Sequence, residues 1–380
     1  MHDYSKVLYL YCKRPASGRK QMAPIKDIEL GFSLSGRSLA VSEFPLKIHF
    51  FNQNLFYPAM LNIKKNIPLA PYTTFKIGGP AKFFAEAGGA DEIKKLCEWA
   101  KENLFRLPAG RQILILGGGS NILISDKGFG GLVIKVQNSK FKIQSSRIYA
   151  EAGVPLAKLV LESAKNNLTG LEWAIGIPGT VGGAINGNAG AFGESIAGVV
   201  KYVDVLEIQD GKNKDPKIKK LNNEKCGFGY RKSIFKRNPN LIILSAVFSL
   251  EKKEKEKVQA AIKDFSRQRA QSNTAGCSAG CFFKNPDWEE IGDKEAILSK
   301  FPELKQFSER PKISSGFLIE QVGLKGKKIG GAAVALKHAN FILNNGFAKA
   351  KDVVALADLI KKKIRERYGI ALEEEVAVIG

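Results

Sequence analysis

Apolar positions recur along most of the chain with two distinct periods. In residues 92–103, Ile93, Leu96, Cys97 and Ala100 fall on one face of a 3.6-residue repeat, which predicts a helix. Residues 112–116 and 131–135 are short apolar runs, and 148–151 is a brief alternating segment; these predict strands. Residues 155–167 open on Pro155 and predict a helix with proline in its first turn. Residues 202–208 and 241–250 predict strands separated by a basic hairpin around Asp210 and Gly211. Residues 254–271 predict a charged amphipathic helix. Residues 351–368 predict another, with Val354, Leu356, Leu359, Ile360 and Ile364 on its apolar side and Gly369 as its stop. A last strand is expected over 373–379. Strands and helices mixed in this way imply α and β elements in more than one layered unit. Residues 1–59 lack either period and are expected to be a poorly ordered extension, with domain sequence opening at Met60.

Composition narrows the picture in a few places. The 380 residues carry 59 Lys and Arg against 37 Asp and Glu, a formal charge of +22 that favours anionic partners. Nucleic acid is one such partner; phosphate-rich cofactors and substrates are another. The basic residues are dispersed, and no zinc-finger spacing or RNA-binding aromatic motif accompanies them. Five cysteines, an odd number, suit reduced thiols better than a disulfide framework, and three scattered histidines argue against a metal site. No apolar run approaches the roughly 20 residues that span a bilayer. A cytoplasmic protein without membrane insertion is the expectation.

Three segments are rich in glycine and poor in charge. Thr74 to Ala81 contains Gly78 and Gly79 before Pro80, a tight turn with exposed amides. After the strand ending at Leu116 come Gly117, Gly118, Gly119, Ser120 and Asn121. Successive glycines let a backbone approach a ligand, and their amides can form an anion-binding nest. No Gly-Lys-Ser/Thr follows, so this is not a Walker loop, and a plain Gly-rich loop is the competing reading. Residues 173–191 interleave glycines with small apolar residues, which suggests buried backbone lying flat against a large ligand, or a helix–strand packing turn. Elsewhere Arg231 stands among aromatics, Cys281 precedes Lys284 and Asn285, and Glu373, Glu374 and Glu375 form a carboxylate cluster. Each alone also reads as an ordinary ion pair, a small buried hydrophobe or a solvated charge.

Taken in order, these segments resemble the UDP-N-acetylenolpyruvoylglucosamine reductase family. The resemblance runs from about Asn62 to Gly380 and includes Gly229 to Phe235, Phe283 to Pro286, Gly330 to Ala333, His338 to Phe341 and Leu372 to Val376. It implies an α+β fold: an FAD-binding domain of the vanillyl-alcohol-oxidase superfamily (the PCMH type) in two subdomains, over 60–250 and completed by 370–380, with a smaller α/β substrate-binding domain over 270–369. It implies non-covalent FAD, NADPH as co-substrate, a UDP-sugar enolpyruvate as substrate, and neither metal nor nucleic acid. The implied cofactor-binding residues are Ile77, Gly78, Gly79, Gly117, Gly118, Gly119, Ser120, Asn121, Ile177, Pro178, Gly179, Thr180 and Gly182. Tyr230, Lys284, Asn285 and His338 are the implied substrate-binding residues. Arg231 and Glu375 are expected to stabilise an enolate, Glu375 in its protonated form through crowding by Glu373, Glu374 or substrate. Cys281 takes the place of the family's proton-donating serine, and Lys76 that of its usual arginine. The stretch between Phe235 and Gln271 is too short for the tyrosine loop of the longer subtype. Two other readings compete: a related flavin oxidase, which would tether FAD to His or Cys, and a basic nucleic-acid-binding protein, which leaves the uncharged glycine clusters unexplained.

Overall fold

The computed structural model describes residues 61–104, 112–209, 215–272 and 274–380. The expected extension at 1–59 and the hairpin residues Asp210 and Gly211 lie outside them.

The N-terminal region opens with β1 (Lys64–Pro68), β2 (Pro80–Ala87), α1 (Ala90–Asn103), β3 (Ile113–Leu116), β4 (Ile122–Ile124) and β5 (Phe129–Val136). β1, β2, β5 and β3 form one sheet in that order, antiparallel at β1–β2 and parallel elsewhere. Alternation along β5 divides its side chains between two cores. Leu132, Ile134 and Val136 join α1, and Val133 joins Leu69, Phe84, Leu116 and Ile124 on the opposite face.

Next come β6 (Phe141–Gln144), β7 (Arg147–Glu151), α2 (Leu156–Lys165), β8 (Leu168–Thr169), α3 (Val181–Gly187), β9 (Gly190–Ala191), β10 (Glu194–Ser195), β11 (Val200–Glu207), β12 (Lys217–Asn222), α4 (Ile234–Arg237) and β13 (Leu241–Ser249). A five-stranded antiparallel sheet runs β12-β11-β13-β7-β6. β12 was not anticipated. It is an edge strand with mostly exposed lysines, so it lacks the apolar alternation that marks a half-buried strand. The 173–191 segment is partly helical. It contains α3, whose N-terminus is capped by Thr180 Oγ1 accepting from Gly183 N–H, and Gly176, Pro178, Gly183 and Asn186 are exposed.

The C-terminal region follows β14 (Glu251–Lys252) with α5 (Lys255–Ser272), α6 (Trp288–Ile291), α7 (Lys294–Lys300), α8 (Ser315–Gln321), β15 (Lys328–Ile329), β16 (Ala332–Val334), β17 (Ile342–Asn344), α9 (Ala350–Tyr368) and β18 (Ala377–Ile379). α9 buries Val353, Leu356, Ala357, Ile360 and Ile364, whereas Val354 points to solvent. The expected stripe was one residue out of phase at its start. The expected last strand is confined to β18, which pairs in parallel with β4 and so returns the chain to the N-terminal region. The core packed on α9 also takes in Phe75, Ile77 and Leu123, so N-terminal residues help close it.

Candidate active site

Three stretches distant in sequence converge on one place. The turn 229–232 is tight: Gly229 and Lys232 exchange two backbone hydrogen bonds of 3.0 Å. Asn188 Nδ2 donates to Gly229 O (2.8 Å), and Ser233 Oγ donates to Asn186 O (2.6 Å), so the end of α3 holds this turn. Arg231 adopts a left-handed φ of +54°, an uncommon conformation for a residue with a long side chain. The second stretch is 281–283. Asn340, which is buried, clamps it with both ends of its amide: Oδ1 accepts from Phe283 N (3.0 Å) and Nδ2 donates to Phe283 O (2.8 Å). The third is 373–376, laid against it by Glu375 N–H donating to Phe282 O (2.8 Å).

Arg231 Nε lies 2.6 Å from Glu375 Oε1, and both side chains are largely buried. The N–H is poorly aligned on that oxygen, so the contact is a close ion pair rather than a hydrogen bond. Arg231 Nη2 also donates to Gly190 O (2.8 Å). Burial raises the Glu375 carboxyl above the usual carboxylate range, with Arg231 opposing. Crowding by its neighbours, the expected cause, does not arise: Glu373 pairs with Lys284 and Glu374 with Lys361. Burial pushes the Cys281 thiol up to about 12; Glu375 adds to the rise, while Arg231 and Arg269 oppose it. Cys281 therefore lies within electrostatic reach of both expected enolate-stabilising groups.

The expected substrate residues divide. Asn285 N–H donates to Tyr230 Oη (3.2 Å), and Asn285 Oδ1 accepts from Ser315 N (3.1 Å). Lys312 Nζ sits 4.6 Å from the Tyr230 ring centroid and bonds Asp287. Tyr230, Lys284 and Asn285 thus adjoin Arg231 and the 281–283 stretch. His338 joins them less directly: its Nδ1 accepts from Asn340 N (3.3 Å), and its ring packs on Gly316 in α8, next to the Ser315 that bonds Asn285. In that motif Asn340, not His338, braces the site. Lys236 on α4 was missed by the sequence reading. Its ammonium is held below the usual lysine range by burial and by Lys284, with Glu375 and Glu373 opposing, so it belongs to the same charge cluster. A cleft of about 570 Å³ bordered by Asp287, Trp288, Lys294 and Arg310 contains neither Arg231, Cys281 nor Glu375. Volume alone does not locate this chemistry.

The glycine segments meet each other next to this cluster. A Cβ on Gly118 would stand 2.6 Å from Gly179 Cα, and one on Gly117 would stand 2.5 Å from Thr180 Oγ1. Gly119 has φ +63° and would collide with Tyr72 O at 2.1 Å. Ser120 Oγ donates to Pro178 O (3.0 Å), and Lys135 Nζ, below the loop, donates to Gly117 O. Among the described residues, the N–H groups of Gly118, Gly119, Ser120 and Asn121 donate to no protein acceptor. Four consecutive free donors on a half-exposed loop fit the oxygens of a diphosphate. Asn121 joins this loop to the reacting side: its Nδ2 donates to Glu375 O (3.2 Å). The turn at 77–79 is packed more tightly: Ile77 is buried, and a Cβ on Gly79 would strike Asp126 O at 2.2 Å.

Four free amides beside a buried Arg–Glu pair and a thiol are compatible with a flavin-dependent oxidoreductase. Residues 81–215 match the family model described as FAD binding domain, and residues 271–379 match UDP-N-acetylenolpyruvoylglucosamine reductase, C-terminal domain. The reductase of Synechococcus sp. (strain WH7803) is 37% identical over 323 residues, covering 84% of this chain and 93% of that protein. That of Geotalea uraniireducens (strain Rf4) is 37% identical over 321 residues, covering 84% and 94%. The crystal structure of the enzyme from Thermus caldophilus aligns with a TM-score of 0.65 at 31% identity, over 84% of this chain and 100% of that one. The chain belongs to the UDP-N-acetylenolpyruvoylglucosamine reductase family. The expected α+β fold around an FAD-binding domain is borne out. No helix among the described residues is long and apolar enough to cross a membrane.

Proposed function

We propose that this enzyme uses NADPH to reduce UDP-N-acetylglucosamine enolpyruvate to UDP-N-acetylmuramate, a cytoplasmic step in peptidoglycan precursor synthesis, with FAD held non-covalently. The observation that carries the reading is the buried Arg231–Glu375 pair beside Cys281, reached through Asn121 from the glycine nest. Residues 60–250 with 370–380 form the flavin part in this reading, and 270–369 the substrate part. The Gly118–Asn121 amides take the diphosphate of FAD, and Ile177 to Gly182 line the flavin. When bound, FAD would supply the two-electron chemistry that moves a hydride from NADPH to the terminal carbon of the vinyl ether.

The residues of the chain then handle charge and a proton. Hydride addition leaves an enolate on the substrate carboxylate, and Arg231 meets it with a fixed planar cation. Glu375, its carboxyl raised by burial, serves as a hydrogen-bond donor to the same oxyanion when protonated. Cys281 gives its proton to the remaining carbon: a C–H bond forms, the S–H bond breaks, and the thiolate is reprotonated from water. Lys284, Asn285, Tyr230 and Lys236 supply cations and donors for the UDP-sugar. His338 acts on the substrate side through the Asn340 turn.

NADPH oxidation by the flavin-loaded enzyme, with and without the enolpyruvate, tests the reading. Substrate-dependent oxidation with UDP-N-acetylmuramate identified by mass spectrometry is expected, as is release of all flavin on denaturation. Absence of substrate-dependent turnover overturns the assignment, and flavin retained by the denatured chain overturns the non-covalent attachment.

A further inference from the structure

The hairpin β9–β10 is four residues of strand with Phe192 and Gly193 between them. Both are in the left-handed region, at φ +56° and +88°, so the connection is a two-residue turn with positive φ at each central position. Asn, Asp or Gly normally stands at the first of these. A bulky aromatic there is an outlier, and Phe192 is also 43% exposed. An exposed, strained phenylalanine contributes little to the fold and calls for another explanation.

Its contacts supply one. The Phe192 ring lies across α5, with Phe265 at 5.2 Å and the Arg269 guanidinium at 5.4 Å, two residues one helical turn apart. Arg269 also donates from Nη2 to Trp173 O (3.2 Å), and its Cδ approaches Gly176 so closely that a Cβ there would be 2.8 Å away. At its base the same hairpin receives Arg231 through Gly190 O, and a Cβ on Gly190 would strike Glu194 O at 2.4 Å. One small element therefore touches both arginines.

We propose that Phe192 is a positioning residue: the Gly190–Ser195 hairpin fixes Arg231 with its carbonyl and Arg269 with its ring, and so holds both guanidiniums in place about the reacting site. The inference rests on the enolpyruvate-reductase reading of the site. When Cys281 transfers its proton to carbon, a thiolate is left until water restores the proton. Fixed cations nearby stabilise that thiolate and lower the cost of the step. Both arginines favour the thiolate of Cys281, whereas Glu375 opposes it. Phe192 acts through Arg269 and touches no reacting atom.

The test uses the flavin-loaded enzyme and the variants Phe192→Asn, Phe192→Tyr, Arg269→Gln and the Phe192→Asn/Arg269→Gln double. Asparagine tolerates positive φ, so Phe192→Asn is expected to keep its flavin and melt at or above the wild-type temperature, while kcat falls about tenfold with KM within about twofold. Phe192→Tyr keeps the ring and is expected to stay within about twofold of wild-type kcat. The double variant is expected to be no slower than the slower single, because both changes remove one interaction. Wild-type kcat in Phe192→Asn overturns the proposal. So does an additive double variant, or a lowered melting temperature with flavin loss in Phe192→Asn. A wild-type enzyme that cannot turn over the enolpyruvate sinks the underlying reading, whereas a working wild type with an unimpaired Phe192→Asn sinks only the clamp.

Discussion

Arg231 and Glu375 come from positions far apart in the chain yet stand 2.6 Å apart, and each changes what the other can do. Arg231→Lys keeps the charge but loses the planar fork, so turnover is expected to fall by about tenfold or more. Glu375→Gln retains a donor and is expected to be milder than Glu375→Ala, which leaves a buried guanidinium without its partner. Steady-state kcat/KM of the three variants checks this order, and Glu375→Ala equal to or better than Gln contradicts it. At Cys281, serine is expected to retain appreciable activity, because it is short and carries one exchangeable proton. Cys281→Ala is expected to accept hydride but fail to complete the product. Flavin reoxidation and product followed separately decide this: both at wild-type rate in Cys281→Ala removes the thiol from the mechanism. The environment of the thiol also changes its expected pH behaviour. An ordinary thiol, with a pKa of about 8.5, would lose its proton in mild alkali and take activity with it. Burial pushes Cys281 up to about 12, so its proton-donating form persists well beyond that range and is lost only near that value. Wild type and Cys281→Ser are therefore expected to share one kcat profile to about pH 10, and alkylation of Cys281 at pH 8 to be slow. An alkaline limb near pH 8.5 that vanishes in Cys281→Ser contradicts this.

Elements fix these residues more than local sequence does, which is where reading the sequence reached its limit. The glycine run at 117–119 was legible as a candidate close-approach loop, with a plain Gly-rich loop as the competing reading. What the glycines approach was not legible: each avoids another part of the protein, namely Thr180, Gly179 and Tyr72. The consequence concerns Gly118. Its methyl would meet Gly179 Cα at 2.6 Å, and backbone cannot yield there as a flexible side chain would. Gly118→Ala is expected to push the two glycine loops apart, cost about 1–3 kcal/mol and weaken flavin binding. Melting temperature and flavin content of the purified variant check both effects; unchanged values would mean the loops separate without cost. Edge strand β12 and the α3 helix escaped the sequence reading for related reasons. An edge strand rich in lysine has no apolar period, and a helix containing glycines at 182, 183 and 187 has low intrinsic propensity, so packing creates it. Asn340 and Asn188 were missed as braces because an asparagine's two-ended amide acts across the fold, and nothing in its neighbours announces the partner.

Across the whole molecule, the two regions are sewn together by long-range contacts that no local pattern encodes. β18 pairs with β4, Asp126 accepts from the N–H groups of Ala350 and Lys351 at the start of α9, Thr74 Oγ1 donates to Ser278 O, and Asn344 Nδ2 donates to Phe75 O. Phe75, Ile77 and Leu123 are buried in the same core as α9. The order of the elements was legible from the alternation of periods, but this interlock was not. It has a consequence for where the chain can be shortened. Every contact just named starts at or after Phe75 or its neighbour Thr74, and β1 begins at Lys64. A chain beginning at Met60 retains all of these elements together with the two matched regions at 81–215 and 271–379. It is expected to fold, bind FAD stoichiometrically and turn over at a rate within about twofold of the full chain, because every described element and every contact named above is kept. The ratio of flavin absorbance to protein, the melting temperature and substrate-dependent NADPH oxidation check this. Failure of the shortened chain to hold flavin would give residues 1–59 a part in the fold and withdraw Met60 as the start of the working domain.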